Sequence, residues 1–210
     1  MVGMGRPGRY ARRDGQKLMR IPAPSKKPKA LKAHITRLEM TTAPRQSLPL
    51  PVNLQTALMR VPEIPLAYYR FLYAQVGRRW NWVERLRMPD DKLLPILRDR
   101  RTNVTVLYVN GAPAGFYELF HESEELVELS HFGLIEHAQG MGVGKWLLLQ
   151  ALYTAWGLEP QRVCVTTNNL DHPRALQLYQ MYGFNPVSTS DALVRPLSDD
   201  EILKIYAGQS

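Results

Sequence analysis

The residues best suited to chemistry lie at positions 139–145, where Gly140, Gly142 and Gly144 recur at alternate positions. They follow an apolar stretch, 126–135, whose Val127, Leu129, Phe132, Leu134 and Ile135 suit a largely buried strand. From Val143 onward, Trp146, Leu147, Leu149, Ala151, Leu152 and Trp156 supply an apolar helical face. A glycine turn between strand and helix leaves several backbone N–H groups without partners. It also presents the positive end of the helix dipole, and no side chain blocks a ligand's approach. The predicted occupant is a phosphate or pyrophosphate. Spacing decides against two familiar sources. A P-loop would need glycine at Gln139 and a hydroxyl at Trp146, and a Rossmann turn read from Gly140 would need glycine at Lys145. Both nucleotide motifs fail.

What is present is Gln139-x-x-Gly142-x-Gly144 and, further on, Ala175-Leu176-x-Leu178-Tyr179-x-x-x-Gly183-Phe184. In that order the pair resembles the [QR]-x-x-G-x-[GA] and A-x-x-L-Y-x-x-x-G-F motifs of the GNAT N-acetyltransferase superfamily. The resemblance covers roughly residues 54–187. It implies a mixed α/β fold with a central, mostly antiparallel sheet flanked by helices. Two strands, here 128–135 and 162–167, would splay apart to admit acetyl-CoA.

The implied reaction moves an acetyl group from acetyl-CoA to a primary amine on a small molecule or a protein. It needs a held cofactor, a deprotonated amine, a stabilised oxyanion and a proton for the departing thiolate. By resemblance, the N–H groups of Gln139, Gly140, Met141, Gly142, Val143, Gly144 and Lys145 wrap the pyrophosphate, and Lys145 adds positive charge. The Leu134 N–H would serve the thioester oxygen. His172 stands where an asparagine that bonds the cofactor is common, and Glu136 where a proline is common. Tyr179 matches the proton donor to the thiolate, whose conjugate acid has a pKa near ~8.5. For the amine's proton, Glu128 is the candidate base, with Val127 and Leu129 projecting to the other face. His131 is the rival, closer to neutrality at an ordinary ~6.5 but subject to displacement by a bulge in the strand. No metal is expected: His121, His131, His137 and His172 lack ligand spacing.

The elements that must position these groups read in order. Segments 36–41 and 54–61 are candidate strands separated by Pro44, Pro49 and Pro51. Tyr69, Leu72, Tyr73 and Val76 share a helical face that Gly77 can end, and Trp80 and Trp82 follow. These aromatics read as core, with a wall of the acceptor pocket as the alternative. A second helix is predicted over 90–98, with Asp90 or Asp91 as cap. Strands 103–109 and 114–120 flank an Asn110-Gly111 hairpin turn. After the central helix come a strand at 161–167, a helix at 173–182 opened by Pro173 and stopped by Gly183, and a strand from Phe184. Ser198 and Glu201 form a capping-box pattern opening a short C-terminal helix, either packed on the domain or used for self-association.

Composition bounds the setting. The chain has 210 residues, 45% of them hydrophobic, enough for one domain with tails. Its single cysteine, Cys164, forbids an internal disulfide and sits in an apolar run, as a small core residue would. With no membrane-length apolar run and no signal-peptide pattern, a cytoplasmic protein is expected. The net charge of +8 is unevenly placed: residues 1–38 carry 11 Lys and Arg against Asp14 alone, so the remainder sums to −2. With four prolines in 1–38 as well, residues 1–45 read as a disordered basic arm able to make weak, nonspecific nucleic-acid contacts through 1–38. The predicted division is this arm, an acetyltransferase domain over 46–190 and a tail over 191–210, in a monomer or homodimer. The alternative function is a catalytically inactive GNAT-like module that senses acyl-CoA or uses the arm on nucleic acid.

Overall fold

The Asn110-Gly111 pair adopts positive φ at both residues (50° and 82°), the geometry that matches strand twist in a two-residue hairpin. It joins β3 (Thr102–Val109) to β4 (Ala112–Ser123) in the computed structural model, which describes residues 28–206. Strand β2 (Thr56–Arg60) pairs with β3, and β5 (Leu126–Leu134) with β4, all antiparallel. The chain then passes through α4 (Val143–Trp156) into β6 (Arg162–Asn168), parallel to β5. Helix α5 (Ala175–Met181) and strand β7 (Asn185–Val194) follow. The seven-stranded sheet has the order β2-β3-β4-β5-β6-β1-β7, and β5–β6 is its one parallel pair. This is the mixed, mostly antiparallel sheet expected. The second-motif helix begins at Ala175 rather than Pro173.

Within the span read as a basic arm, the candidate strand at 36–41 begins earlier, as strand β1 (Leu31–Met40), inserted antiparallel between β6 and β7. Leu38 and Met40 face the core at 0% and 2% exposure. The charges that suggested an arm are matched across the sheet surface. Lys32 lies 2.9 Å from Asp191, and Arg37 Nε donates to Glu39 at 3.3 Å. Charge density hid the first half of a strand whose pairing partners lie far away in sequence. Residues 1–27 of the predicted arm lie outside the described residues.

Both faces of the sheet are covered. Against one, α4 buries Leu147, Leu148, Ala151 and Leu152 over Leu38, Leu119, Val127, Leu129, Val163 and Val165. Against the other, α1 (Leu66–Gly77), α2 (Glu84–Arg87) and α3 (Asp90–Arg98) bury Tyr69, Leu72, Tyr73, Leu93 and Leu97 over Val104, Val106 and Phe116. The cap of α3 is Pro89, with Asp90 and Asp91 in its first turn, where their charges favour the helix dipole. The C-terminal helix α6 (Asp199–Tyr206) packs on this layer. Ser198 and Glu201 form the predicted capping box, and Arg87 bonds Glu201 at 2.7 Å and the carbonyls of Arg195 and Pro196 at 2.7 and 2.9 Å.

Candidate active site

Strands β5 and β6 pair only from Leu126 to Leu129 with Arg162 to Val165, and beyond that point they separate. The cause lies in β5. Glu118 of β4 faces His131 while Leu119 faces Leu129, so Ser130 is an extra, bulged residue that bends the strand. At the far end of β5, Ile135 N–H donates to Ala114 O at 2.9 Å, toward β4. Successive N–H groups of an extended chain point to opposite edges, so Leu134 N–H faces the opening. The Leu134 carbonyl accepts the Gln139 side-chain amide at 3.3 Å, tying the first motif residue to the strand.

The glycine turn has the backbone that its sequence requires. Gly140 and Gly142 sit at φ +82° and +79°, and a Cβ added at Gly140 would point into open space. Two predicted donors are spent internally: Gln139 N–H bonds Glu136 O at 3.1 Å, and Met141 N–H bonds Ala138 O at 3.4 Å. The N–H groups of Gly140 and Gly142 have no backbone acceptor among the described residues, and those of Val143, Gly144 and Lys145 fall in the first turn of α4. Five donors and the exposed Lys145 side chain therefore lie along the turn, with the Pro51 side chain near Gly142 and that of Leu134 near Gly144. Such a set of donors fits a pyrophosphate. Glu136 uses its side chain to hold Arg79 at 2.6 Å.

Tyr179 is 7% exposed and lies in the cluster on the α4 face, edge-on to Phe184. Its hydroxyl makes no hydrogen bond among the described residues. Burial raises its pKa, and the nearby Asp171 carboxylate adds to the effect, so the phenol keeps its proton at neutral pH. Asp171 is itself held by Thr167 Oγ1 and Asn168 N–H at 2.9 and 3.0 Å. His172 is exposed, its Nδ1 accepting Arg174 N–H at 3.1 Å and its ring lying edge-on to Trp80 at 5.1 Å.

Residues 100–186 match the family described as "Acetyltransferase (GNAT) domain", a span that contains the opening, the glycine turn and Tyr179. Over this segment the chain is similar to GNAT acetyltransferase domains. The fold agrees with solved GNAT structures. A GCN5-related N-acetyltransferase from Sphaerobacter thermophilus superposes with a TM-score of 0.56 at 15% identity, over 81% of this chain and 54% of that one. A GNAT-family protein from Novosphingobium aromaticivorans gives 0.52 at 14%, over 83% and 70%. A tandem GNAT protein from the clavulanic acid biosynthesis pathway gives 0.53 at 15%, over 83% and 56%. At these identities the likeness is one of fold, and the chain spans just over half the length of two of the three. No curated protein matches the chain by sequence. No described helix is long and apolar enough to cross a membrane.

On the other face of the sheet, the bulge at Ser130 sets Glu128 and His131 on the same side. Glu128 lies opposite Cys164, in the paired part of β5 and β6, and accepts Ser130 Oγ at 3.4 Å. His131 lies beyond it, beside the opening. Behind His131 is a group that sequence reasoning missed, Glu118 of β4, only 1% exposed. Tyr69 Oη donates to its Oε2 at 2.5 Å, and Arg85 Nη2 to its Oε1 at 3.2 Å. Burial would raise the pKa of Glu118, but His131, Arg85 and Tyr69 outweigh it and leave the carboxyl below its ordinary value. A glutamate in the strand pattern Phe116, Glu118, Phe120 was the available signal: a charge at a core-facing position.

Trp82 closes this side. Its ring stands 5.3 Å from His131, and its Nε1 donates to Asp171 Oδ1 at 3.3 Å, joining the α1–α2 connection to the loop after β6. Gly77 makes the approach feasible, because a Cβ there would lie 2.2 Å from Trp82 Cβ. Gly77→Ala is expected to cost about 1–3 kcal/mol. Urea unfolding with tryptophan emission checks this, and an unchanged midpoint and spectrum would mean that the contact yields freely.

Proposed function

We propose that the chain is an N-acetyltransferase that uses acetyl-CoA and acts on a primary amine of a small molecule or protein. The observation that carries this reading is the opening between β5 and β6, with Leu134 N–H on its edge beside the glycine turn, and Tyr179 in the core cluster against which Leu134 packs. Acetyl-CoA supplies the activated thioester. The donors of Gly140, Gly142, Val143, Gly144 and Lys145 hold its pyrophosphate. Gln139 steadies the turn through the Leu134 carbonyl, and Met141 serves as a spacer in it. His172 and Trp80 border the cofactor's path. Leu134 N–H stabilises the negative charge that develops on the carbonyl oxygen as the amine attacks. As the C–S bond breaks, Tyr179 gives its proton to the sulfur.

The first test is calorimetric titration with acetyl-CoA, paired with thiol release in the presence of amines. Gly142→Val places a β-branched residue at φ +79° and a side chain on the pyrophosphate surface. It should weaken acetyl-CoA binding on the order of 10-fold or more, about 1.4 kcal/mol per decade. Equal affinity in wild type and variant would remove the turn from the site, and no binding to wild type would end the acetyl-CoA reading.

A further inference from the structure

Resting on that acyl-transfer reading, we propose that His131 is the base that takes the proton of the acceptor amine, and that Glu118 orients it. Direct transfer places acid and base on opposite sides of the reacting carbonyl, since the amine enters where the thiolate does not leave. Tyr179 belongs to the α4 face of the sheet, and His131 to the face covered by α1 and α2. Between them lies the gap where β5 and β6 part. The Ser130 bulge creates this placement. Without the extra residue, strand alternation would turn the side chain at position 131 toward the opposite face from Glu128.

The surroundings of His131 suit one tautomer. Its Nδ1 is buried and lies 3.2 Å from Glu118 Oε2, out of line for a hydrogen bond as the ring stands. Glu118 cannot swing toward solvent, because Tyr69 and Arg85 each hold one of its oxygens. A proton on Nδ1 would face that carboxylate, leaving Nε2 with a free lone pair. Nε2 makes no hydrogen bond among the described residues and is not buried. Tyr73 and Trp82 stand edge-on to the ring at 5.1 and 5.3 Å and limit its rotation. The charged and titratable groups facing it are thus Glu118 from β4, Tyr69 and Tyr73 from α1, and Arg85 from α2. Glu128 precedes it on β5, and Asp171 stands behind Trp82.

In the completed step the amine nitrogen bonds to the acetyl carbon and its proton passes to His131 Nε2. The C–S electrons leave on sulfur, which takes the proton of Tyr179. Glu118 stays ionised throughout and stabilises the imidazolium, as a positioning residue.

The test is the pH profile of kcat/KM for thiol release from acetyl-CoA, with benzylamine, tryptamine and a lysine-containing peptide as acceptors. Calorimetry with acetyl-CoA confirms that each variant retains the cofactor site. His131→Gln should lower the neutral-pH rate about 10²-fold or more and abolish the limb that rises with pH. Glu118→Gln should keep that limb but move it to lower pH, because the imidazolium loses its carboxylate partner. A purely structural role for Glu118 would lower the rate without moving the limb. A rising limb kept in His131→Gln but lost in Glu128→Gln would overturn the assignment and transfer the role to Glu128. Wild-type protein that binds acetyl-CoA yet releases no thiol with any acceptor would overturn the acyl-transfer reading and this assignment with it.

Discussion

Tyr179→Phe is expected to reduce acetyl transfer by about 10²–10³-fold while leaving acetyl-CoA affinity and thermal stability nearly unchanged. The reasoning begins with what the hydroxyl does in the fold, which is little. It has no hydrogen-bond partner among the described residues, so its removal orphans no donor or acceptor. The ring remains, and with it the packing against Phe184. What is lost is a proton held by burial and by the Asp171 carboxylate, both of which favour the neutral phenol. A donor kept protonated at neutral pH matches a thiolate whose conjugate acid has a pKa near ~8.5. Turnover, calorimetric affinity and melting temperature measured on one preparation separate the roles. A large loss in both rate and stability would make Tyr179 a packing residue. An unchanged rate would hand the thiolate's proton to solvent.

The second large effect concerns the N-terminal strand. Removing residues 1–27 should leave the melting temperature within a few degrees of wild type, since every contact described above survives. Removing residues 1–41 should abolish cooperative unfolding. β1 is the only described partner of β7, and it also supplies the outer ladder of β6. Its loss exposes the cavities left by Leu38 and Met40, each worth about 1.5–3 kcal/mol of burial. It also strips the ladder bonds from two strands and the link from His34 N–H to Asn169 Oδ1 at 2.7 Å. Against a total stability of about 5–15 kcal/mol, these losses leave little. Circular dichroism melts of the two truncations decide it. A longer truncation that melted like the shorter one would show that β1 is dispensable.

The two sites compare instructively. The backbone of the glycine turn was legible because its information is local. A positive φ demands glycine at Gly140 and Gly142 whatever surrounds them, and a hairpin turn demands Asn110-Gly111 in the same way. Helix α4 and strand β5 showed in their apolar runs, and the capping box at Ser198 in its spacing.

Glu118, Arg85 and the true alignment of His131 were not legible, because each depends on a register that no short window contains. Tyr69 is 49 residues from Glu118, and Arg85 is 33. The bulge at Ser130 exists only in the pairing of β4 with β5. The start of β1 was concealed for a related reason: Lys32 looked like part of a charged tail until Asp191 of β7 was placed beside it. The docking of α6 likewise rests on Arg87, 114 residues before Glu201. Sequence by itself determined the resemblance to GNAT domains, the glycine turn and the hairpin, since backbone dihedrals and spacing are written within a few residues. Tertiary structure alone decided which strand fills the gap between β6 and β7 and which carboxylate stands behind His131. Buried charge and strand register are settled only by partners that folding brings together.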